Sequence, residues 1–209
     1  MIVAVDGPTA SGKGTVAKQL ARHYALPFLD TGLLYRAVGR QVAINKGDAD
    51  NAADALAACD FPDSLLDDSA LRDEATGSLA SRVSIHSEVR AALNKHQVDF
   101  ANQQGGAVLD GRDIGTVIAP DADVKLFITA SPEVRAKRRY EEMAKAGGIK
   151  TYEEMLADII ARDERDMGRD EAPLKPAEDA LLLDTSDLTI GDAVQRAIAL
   201  VDAQLRSRS

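Results

Sequence analysis

Residues 7–15, Gly-Pro-Thr-Ala-Ser-Gly-Lys-Gly-Thr, follow an apolar start at residues 1–5 and precede a helical pattern. Glycines let backbone N–H groups point inward and surround an anion. The N-terminus of the following helix adds partial positive charge, and Lys13 is long enough to reach the outer phosphates of a nucleoside triphosphate. The segment therefore predicts a phosphate-binding P-loop rather than an ordinary strand-to-helix turn. The predicted nucleotide contacts are Gly7, Pro8, Thr9, Ala10, Ser11, Gly12, Lys13, Gly14 and Thr15.

The end of this loop departs from the common pattern, in which Ser or Thr directly follows the lysine. Here Gly14 follows Lys13, and the hydroxyl of Thr15 comes one residue later. This Gly-Lys-Gly-Thr ending resembles nucleoside monophosphate kinases more than GTPases or motor ATPases. Thr15 is predicted to contact the nucleotide, and the sequence assigns no metal ligand.

Two further polar segments follow predicted strands. Residues 30–36 read Asp-Thr-Gly-Leu-Leu-Tyr-Arg, and residues 110–115 read Asp-Gly-Arg-Asp-Ile-Gly. Ligands of open α/β sheets bind at the carboxyl ends of the strands, so both segments are predicted to lie near the P-loop. Taken alone, each has an equally good structural interpretation, because Asp or Thr caps helices and Asp-Gly is a common turn.

Arginines recur on two later predicted helices. Arg135, Arg138 and Arg139 share the first, and a spacing of i, i+3 and i+7 places Arg162, Arg165 and Arg169 on one stripe of the second. For any single arginine, a solvated charged face is the more common role. As a set they suit phosphate oxygens, and residues 146–148 between the helices, Ala-Gly-Gly, are predicted to be a flexible tip.

Composition excludes several classes of protein. The 209 residues carry a formal net charge of −9, which argues against a general nucleic-acid-binding protein. Cys59 is the single cysteine, which fits a reducing compartment and has its simplest role as a small buried residue. We see no secretory signal and no apolar stretch near the ~20 residues that a membrane helix needs. A cytoplasmic location without membrane contact is expected.

Short apolar strands alternate with longer helical patterns along the whole chain, which predicts an α/β protein with a parallel sheet covered on both faces. We expect a three-layer fold with five strands, and the resemblance of the loop to nucleoside monophosphate kinases implies in addition a small helical substrate-binding lobe and a lid. In this single P-loop domain the core is predicted at about 1–30, 105–135 and 175–209, the lobe at about 31–104 and the lid at about 136–174. Thr151 and Glu154 have the spacing of a capping box and are predicted to begin another helix. The last helix is predicted to begin after Thr189, with Ile190 on its buried side.

Taken together, the motifs resemble those of bacterial cytidylate kinases over nearly the whole chain. They are G-P-x-x-S-G-K-G-T at 7–15, D-T-G-x-x-Y-R at 30–36, D-G-R-D-x-G-T at 110–116 and R-D-x-R-D-x-x-R at 162–169. The region 61–71 is shorter than in many relatives, which insert an additional segment there. The size of the substrate lobe therefore differs from that of those relatives.

The resemblance implies an enzyme that moves a phosphoryl group from ATP, with Mg²⁺, to CMP or dCMP. We expect a monomer, although the sequence itself does not give the oligomeric state. It implies catalytic roles for Lys13, Arg112, Arg162 and Arg169. The implied contacts to the monophosphate's phosphate and sugar are Thr31, Arg36, Arg112, Arg162, Asp166 and Arg169. The implied base-reading residues are Ser81, Arg90 and Asp113. Chemistry supports Asp113, because a carboxylate accepts a hydrogen bond from cytosine's amine and repels uracil's carbonyl oxygen.

Other functions remain to be weighed against this one. A related small-molecule kinase acting on UMP, AMP or shikimate would share the P-loop. A GTP-dependent switch would use an Asn-Lys-x-Asp string, which residues 45–48 match, but the string lies early in the chain at a predicted helix end. A non-catalytic nucleotide-binding module would share every binding motif.

Overall fold

The computed structural model describes residues 1–145 and 150–208. Its strands are β1 (Ile2–Asp6), β2 (Phe28–Asp30), β3 (Ala107–Gly111), β4 (Val124–Thr129) and β5 (Leu181–Asp184). They form one five-stranded sheet in the order β2-β3-β1-β4-β5, and β1 pairs in parallel with both β3 and β4. The predicted α/β class with a parallel five-stranded sheet is confirmed.

Helices lie in most of the connections between the strands, as is usual for parallel pairing. They are α1 (Lys13–His23), α2 (Thr31–Ile44), α3 (Ala52–Ala57), α4 (Glu74–Val83), α5 (Ser87–Ala101), α6 (Pro132–Lys145), α7 (Tyr152–Met167) and α8 (Ile190–Arg208). Short 3₁₀ turns cover Asp63–Asp67 and Ser69–Arg72, and a π-helical turn covers Ile114–Ile118. Thr151 and Glu154 form the predicted capping box of α7.

The chain divides into two compact units. The first comprises residues 1–28 and the chain from Ala101 onward, and the second comprises residues 29–100. The core of the first unit is built from residues that alternate along the strands, such as Val3 and Val5, together with Leu20 of α1. The second unit has its own core of helix residues, among them Val38 and Val83. The boundaries of core, lobe and lid given above stay predictions.

Three predictions about local structure are wrong in detail. Arg169 does not lie on α7, because that helix ends at Met167 and Gly168 is its C-cap. Asp30 and Asp110 belong to β2 and β3 instead of following these strands. Ile190 is 71% exposed, because Ala193, Ala197 and Val201 form the buried stripe of α8.

Within the part of the chain that the structure describes, none of the helices combines the length and the apolar character that crossing a membrane would require.

Candidate active site

Other atoms come so close to two glycines of the P-loop that a side chain at either position would collide with them. Gly7 has a φ of 153°, and a Cβ there would lie 2.0 Å from the carbonyl oxygen of Ile128. A Cβ at Gly14 would lie 2.9 Å from Oδ2 of Asp110. The unusual glycine after Lys13 therefore makes room for a carboxylate at the end of β3.

Lys13 opens α1, directly after Gly12, which has a left-handed φ of 87°. Its Nζ lies 3.5 Å from Oδ1 of Asp110, and the two side chains are only 13% and 6% exposed. The ammonium group and the carboxylate are thus paired at the edge of the sheet, beside the P-loop.

A second buried carboxylate lies at the start of the loop. Asp6 ends β1 and is 5% exposed. Its Oδ1 accepts a hydrogen bond from the N–H of Ile114, and its Oδ2 accepts one from the N–H of Gly115, both at 2.8 Å. Burial raises the pKa of Asp6 to about 7, although both hydrogen bonds act in the opposite direction. Asp6 thus connects the P-loop strand to the segment that carries Arg112 and Asp113.

Arginines from two distant segments meet at Asp166, which is 3% exposed. Nε of Arg112 donates to its Oδ2 at 2.9 Å, and Nη2 of Arg169 lies 3.2 Å from its Oδ1. Burial alone would raise the pKa of Asp166, but the charges of Arg112, Arg162 and Arg169 hold it below its usual range. Three guanidinium groups around one carboxylate give this cluster a net positive charge, so it suits a phosphate.

The arginines of α6 have different partners. Arg135 is 2% exposed, pairs with Asp163 of α7 and donates to the carbonyl oxygens of Thr9 and Ala130 at 3.3 and 2.9 Å. Nη1 of Arg138 donates to Oγ1 of Thr185 at 3.1 Å. Arg135 therefore joins α6, α7 and the P-loop backbone, which is a structural role.

A cavity of about 450 Å³ opens beside the P-loop. It is lined by Ala10, Ser11, Gly12, Lys13, Gly14, Thr15, Val16, Arg138, Glu141, Glu142, Thr185, Leu188, Thr189, Ile190 and Ala193. Ser11 is fully buried, and its Oγ has no hydrogen-bond partner among residues 1–145 and 150–208. A cavity with a lysine, helix N-terminal amides and an apolar wall suits a nucleoside triphosphate.

The second unit holds the remaining predicted substrate contacts. Arg36 of α2 donates to the carbonyl oxygens of Leu71 and Asp73 at 2.7 and 3.0 Å. Arg90 of α5 is 5% exposed, and its guanidinium carbon lies 5.8 Å from the centre of the Tyr35 ring. Thr31 and Ser81 are buried as well. A buried arginine over an aromatic ring is held in one orientation, as a recognition site needs.

Residues 45–48, the Asn-Lys-Gly-Asp string, end a helix. Asn45 is the C-cap of α2, Lys46 has a φ of 58°, and the N–H of Gly47 donates to Val42 at 2.9 Å. Arg82 donates to Oδ1 of Asp48 at 2.9 Å. The string has a complete structural explanation as a helix terminus, so it does not support guanine reading.

No group of three or more His, Cys, Asp or Glu side chains in the described residues could hold a metal ion. The predicted flexible tip at residues 146–148 lies outside the described residues.

Sequence reasoning missed three site residues: Asp6, Asp163 and Thr185. Asp6 left one signal, because it is a carboxylate that closes an otherwise apolar strand. Asp163 stands in the motif quoted at 162–169, but its role comes from Arg135, its partner in the folded chain. Thr185 left no signal, since its importance comes from its contact with Arg138.

The chain matches the family described as cytidylate kinase over residues 3–203. A cytidylate kinase of Xanthobacter autotrophicus is 55% identical over 208 residues, with 100% of both chains covered. A cytidylate kinase of Cereibacter sphaeroides is 54% identical, with 96% of this chain and 94% of that one covered. A cytidylate kinase of Rhodopseudomonas palustris is 53% identical, with 97% of this chain and 96% of that one covered.

Among solved structures, an uncharacterized protein from Eubacterium ventriosum has a TM-score of 0.58 at 15% identity, with 97% of this chain and 99% of that one covered. At this identity the likeness shows the fold alone. The match over residues 3–203, together with full-length relatives at more than half identity, decides the family. This chain belongs to the cytidylate kinase family.

Proposed function

We propose that this chain transfers the γ-phosphoryl group of ATP to CMP and dCMP, giving CDP and dCDP. One observation carries the proposal: Arg112 and Arg169 contact the buried carboxylate of Asp166, and the charge of Arg162 acts on the same carboxylate. A chain with a net charge of −9 has gathered three arginines at one place, and such a cluster suits an anion rather than a core. The name that its relatives carry, cytidylate kinase, agrees with this activity.

The cavity beside the P-loop is proposed to bind ATP. The amides of residues 7–15 and Lys13 would hold its phosphates, and the buried Oγ of Ser11 is a further hydrogen-bonding group there. Ile190 is an exposed apolar residue that lines this cavity, and it would provide an apolar surface for the adenine base of ATP. We further propose that Mg²⁺ accompanies ATP, since this ion binds phosphate oxygens together with one or two protein groups and neutralises charge there.

The residues of the Asp166 cluster are proposed to bind CMP. Arg112, Arg162 and Arg169 would hold its phosphate, and Asp166 would accept a hydrogen bond from its ribose. Asp113, which is 5% exposed, would accept one from the exocyclic amine of cytosine. In the second unit, Ser81 and Arg90 are proposed to read the base, and Thr31 and Arg36 to contact the phosphate and sugar.

The proposed chemistry needs no covalent enzyme intermediate. Phosphoryl transfer between bound nucleotides is accelerated by positioning and by stabilisation of charge on the transferred group. Lys13 and the P-loop amides would act from one side, and Arg112, Arg162 and Arg169 from the acceptor side. We propose that the segment 138–169 closes over the phosphates, so that water does not compete with CMP.

A monomer in the cytoplasm, acting on both CMP and dCMP, completes the proposal. The first test follows ³¹P resonances while ATP and CMP are incubated with the chain. A kinase produces ADP and CDP in equal amounts, with little inorganic phosphate. Release of inorganic phosphate instead of CDP, or no change at all, would favour an ATPase or a non-catalytic nucleotide-binding module.

A further inference from the structure

We propose that Asp6 is a positioning residue for the choice of nucleoside monophosphate. It fixes the backbone after Asp113 and thereby determines the positions of Arg112 and Asp113. This inference rests on the proposed function, because Asp113 and Arg112 are there assigned to CMP. Asp6 itself is assigned no contact with either substrate. Its effect would be felt through the segment that it holds.

The geometry of the connection is direct. Asp6 is the last residue of β1, and the two oxygens of its carboxylate accept hydrogen bonds from consecutive backbone amides, Ile114 and Gly115, each at 2.8 Å. These amides follow Asp113 immediately in the chain. On the other side, Arg112 donates to Asp166 at 2.9 Å. The two proposed recognition residues therefore lie between two buried carboxylates, each of which fixes one end of the segment.

The contact also needs this particular side chain. The ionised carboxylate, which is the form of Asp6 above its pKa of about 7, has two acceptor oxygens and no donor, so it satisfies both amides at once. An asparagine of the same shape would face one of the two amides with its own donor. An alanine would leave both amides buried without a partner, which is costly.

The surroundings of Asp6 show that it is not a favourable place for a charge. Burial removes water from its carboxylate, and the negative charges of Asp113 and Asp110 repel it, so all three effects disfavour the ionised form. From β4, Lys125 packs its aliphatic chain near Gly115, where a Cβ would lie 3.1 Å from Cδ, but its ammonium group pairs with Asp179. Lys13 of α1 pairs with Asp110. A buried carboxylate that is kept against these costs is typical of functional sites.

The test compares Asp6→Asn with Val3→Ala, a variant of the same strand that also loses core stability but leaves the segment 112–115 untouched. The first readout needs no substrate and is taken at about pH 8, where Asp6 is ionised. In Asp6→Asn, hydrogen exchange at the amides of Ile114 and Gly115 should become about tenfold faster than in the parent chain. This is the acceleration that remains after the change at the amides of β3 and β4 has been subtracted. In Val3→Ala the exchange at these two amides should change no more than elsewhere in the sheet.

The second readout is selectivity. We expect kcat/KM for CMP relative to UMP to fall about fivefold or more in Asp6→Asn, mainly through a higher KM for CMP. The dissociation constant of ATP should stay within about twofold of the parent value. Asp6→Glu, which keeps both oxygens but moves them by one methylene, should show the same loss of selectivity with less effect on exchange.

The outcomes separate this proposal from the proposed function. If the parent chain phosphorylates CMP selectively and a folded Asp6→Asn protein keeps the same CMP/UMP ratio, Asp6 is only a structural residue and the inference is wrong. If the parent chain does not act on CMP, the proposed function has failed. In that case faster exchange at Ile114 and Gly115 in Asp6→Asn would still show that Asp6 holds this segment, and unchanged exchange would show that it does not. Equal loss of ATP and CMP binding would also overturn the selective role.

Discussion

The ammonium group of Lys13 lies 3.5 Å from a carboxylate oxygen of Asp110, and the other oxygen of that carboxylate approaches Gly14. The same aspartate therefore pairs with the P-loop lysine and lies where a Cβ at the next residue, Gly14, would come within 2.9 Å of its Oδ2. Because Asp110 is the fourth residue of the five that form β3, this pairing is set by the sheet and not by a mobile loop. It places the positive charge of Lys13 where the strands β1 and β3 end.

Replacing Lys13 by alanine should lower kcat about 100-fold or more, because it removes a charge that stabilises the transferred group. The fold should persist, which thermal unfolding can check. The matched control is Lys18→Ala on the same helix, since Lys18 is exposed and its Nζ lies 5.8 Å from the centre of the Phe28 ring. A fully active Lys13→Ala protein would contradict the assigned role.

Asp113→Asn should narrow the preference for CMP over UMP. An amide can donate a hydrogen bond to the carbonyl oxygen of uracil, whereas the carboxylate repels it. Discrimination at one base edge is worth about 1–3 kcal/mol, so the ratio of kcat/KM values should fall roughly 5- to 150-fold. The exposed residue Asp121, replaced in the same way, serves as the control. An unchanged ratio would mean that Asp113 does not read the base.

Arg162→Ala and Arg169→Ala should reduce kcat more than they weaken ATP binding, because contacts completed late in the reaction lower the barrier rather than the ground state. Arg139→Ala is the control, since Arg139 pairs with exposed Glu142 at 3.2 Å. Hydrogen exchange along α7 should slow when both nucleotides are bound.

Two results would count against this account of the arginines. If the Arg162 and Arg169 variants lose ATP affinity but keep kcat, these residues are ground-state binding groups. If exchange along α7 is the same with and without nucleotides, the segment does not close.

Stability should depend on pH through Asp6. The pKa of Asp6 is raised from 3.8 to about 7 in the folded chain, so the folded state binds this proton more tightly than the unfolded state does. The stabilisation that this proton gives is complete below a pH of 3.8 and is lost as the pH rises to the folded pKa of about 7. The parent chain should therefore lose stability relative to Asp6→Asn as the pH rises. The difference in unfolding free energy between them should change by about 2–3 kcal/mol between pH 5 and pH 8. Parallel curves for the two proteins would show that Asp6 does not titrate in this range.

Much of the fold could be predicted from the sequence because its signals are local. The apolar strands, the glycine-rich loop and the cap at Thr151 each depend on neighbouring residues, and the α/β class with a parallel sheet followed from them. Helix ends were less predictable. The i, i+7 spacing of Arg162 and Arg169 assumed a continuous helix, whereas α7 stops at Met167.

The contacts of the candidate site were beyond sequence reasoning because they join distant segments. Asp6 and Gly115 are 109 residues apart, and Arg112 and Asp166 are 54 apart. Hydrophobic periodicity placed Ile190 in the core, but in the structure it lies on the wall of the cavity beside the P-loop. A residue that lines a ligand cavity has the same apolar character as a core residue, so pattern alone does not separate them.

The central claim, phosphoryl transfer from ATP to a cytosine monophosphate, is tested most directly by coupled ADP release over a panel of acceptors. The panel contains CMP, dCMP, UMP, AMP, GMP and shikimate, each at several concentrations, with a reaction lacking acceptor as the background. The account predicts the highest kcat/KM for CMP and dCMP, a clearly lower value for UMP, and rates near background for AMP, GMP and shikimate. Equal activity on purine monophosphates, or ADP release that does not depend on the acceptor, would contradict it.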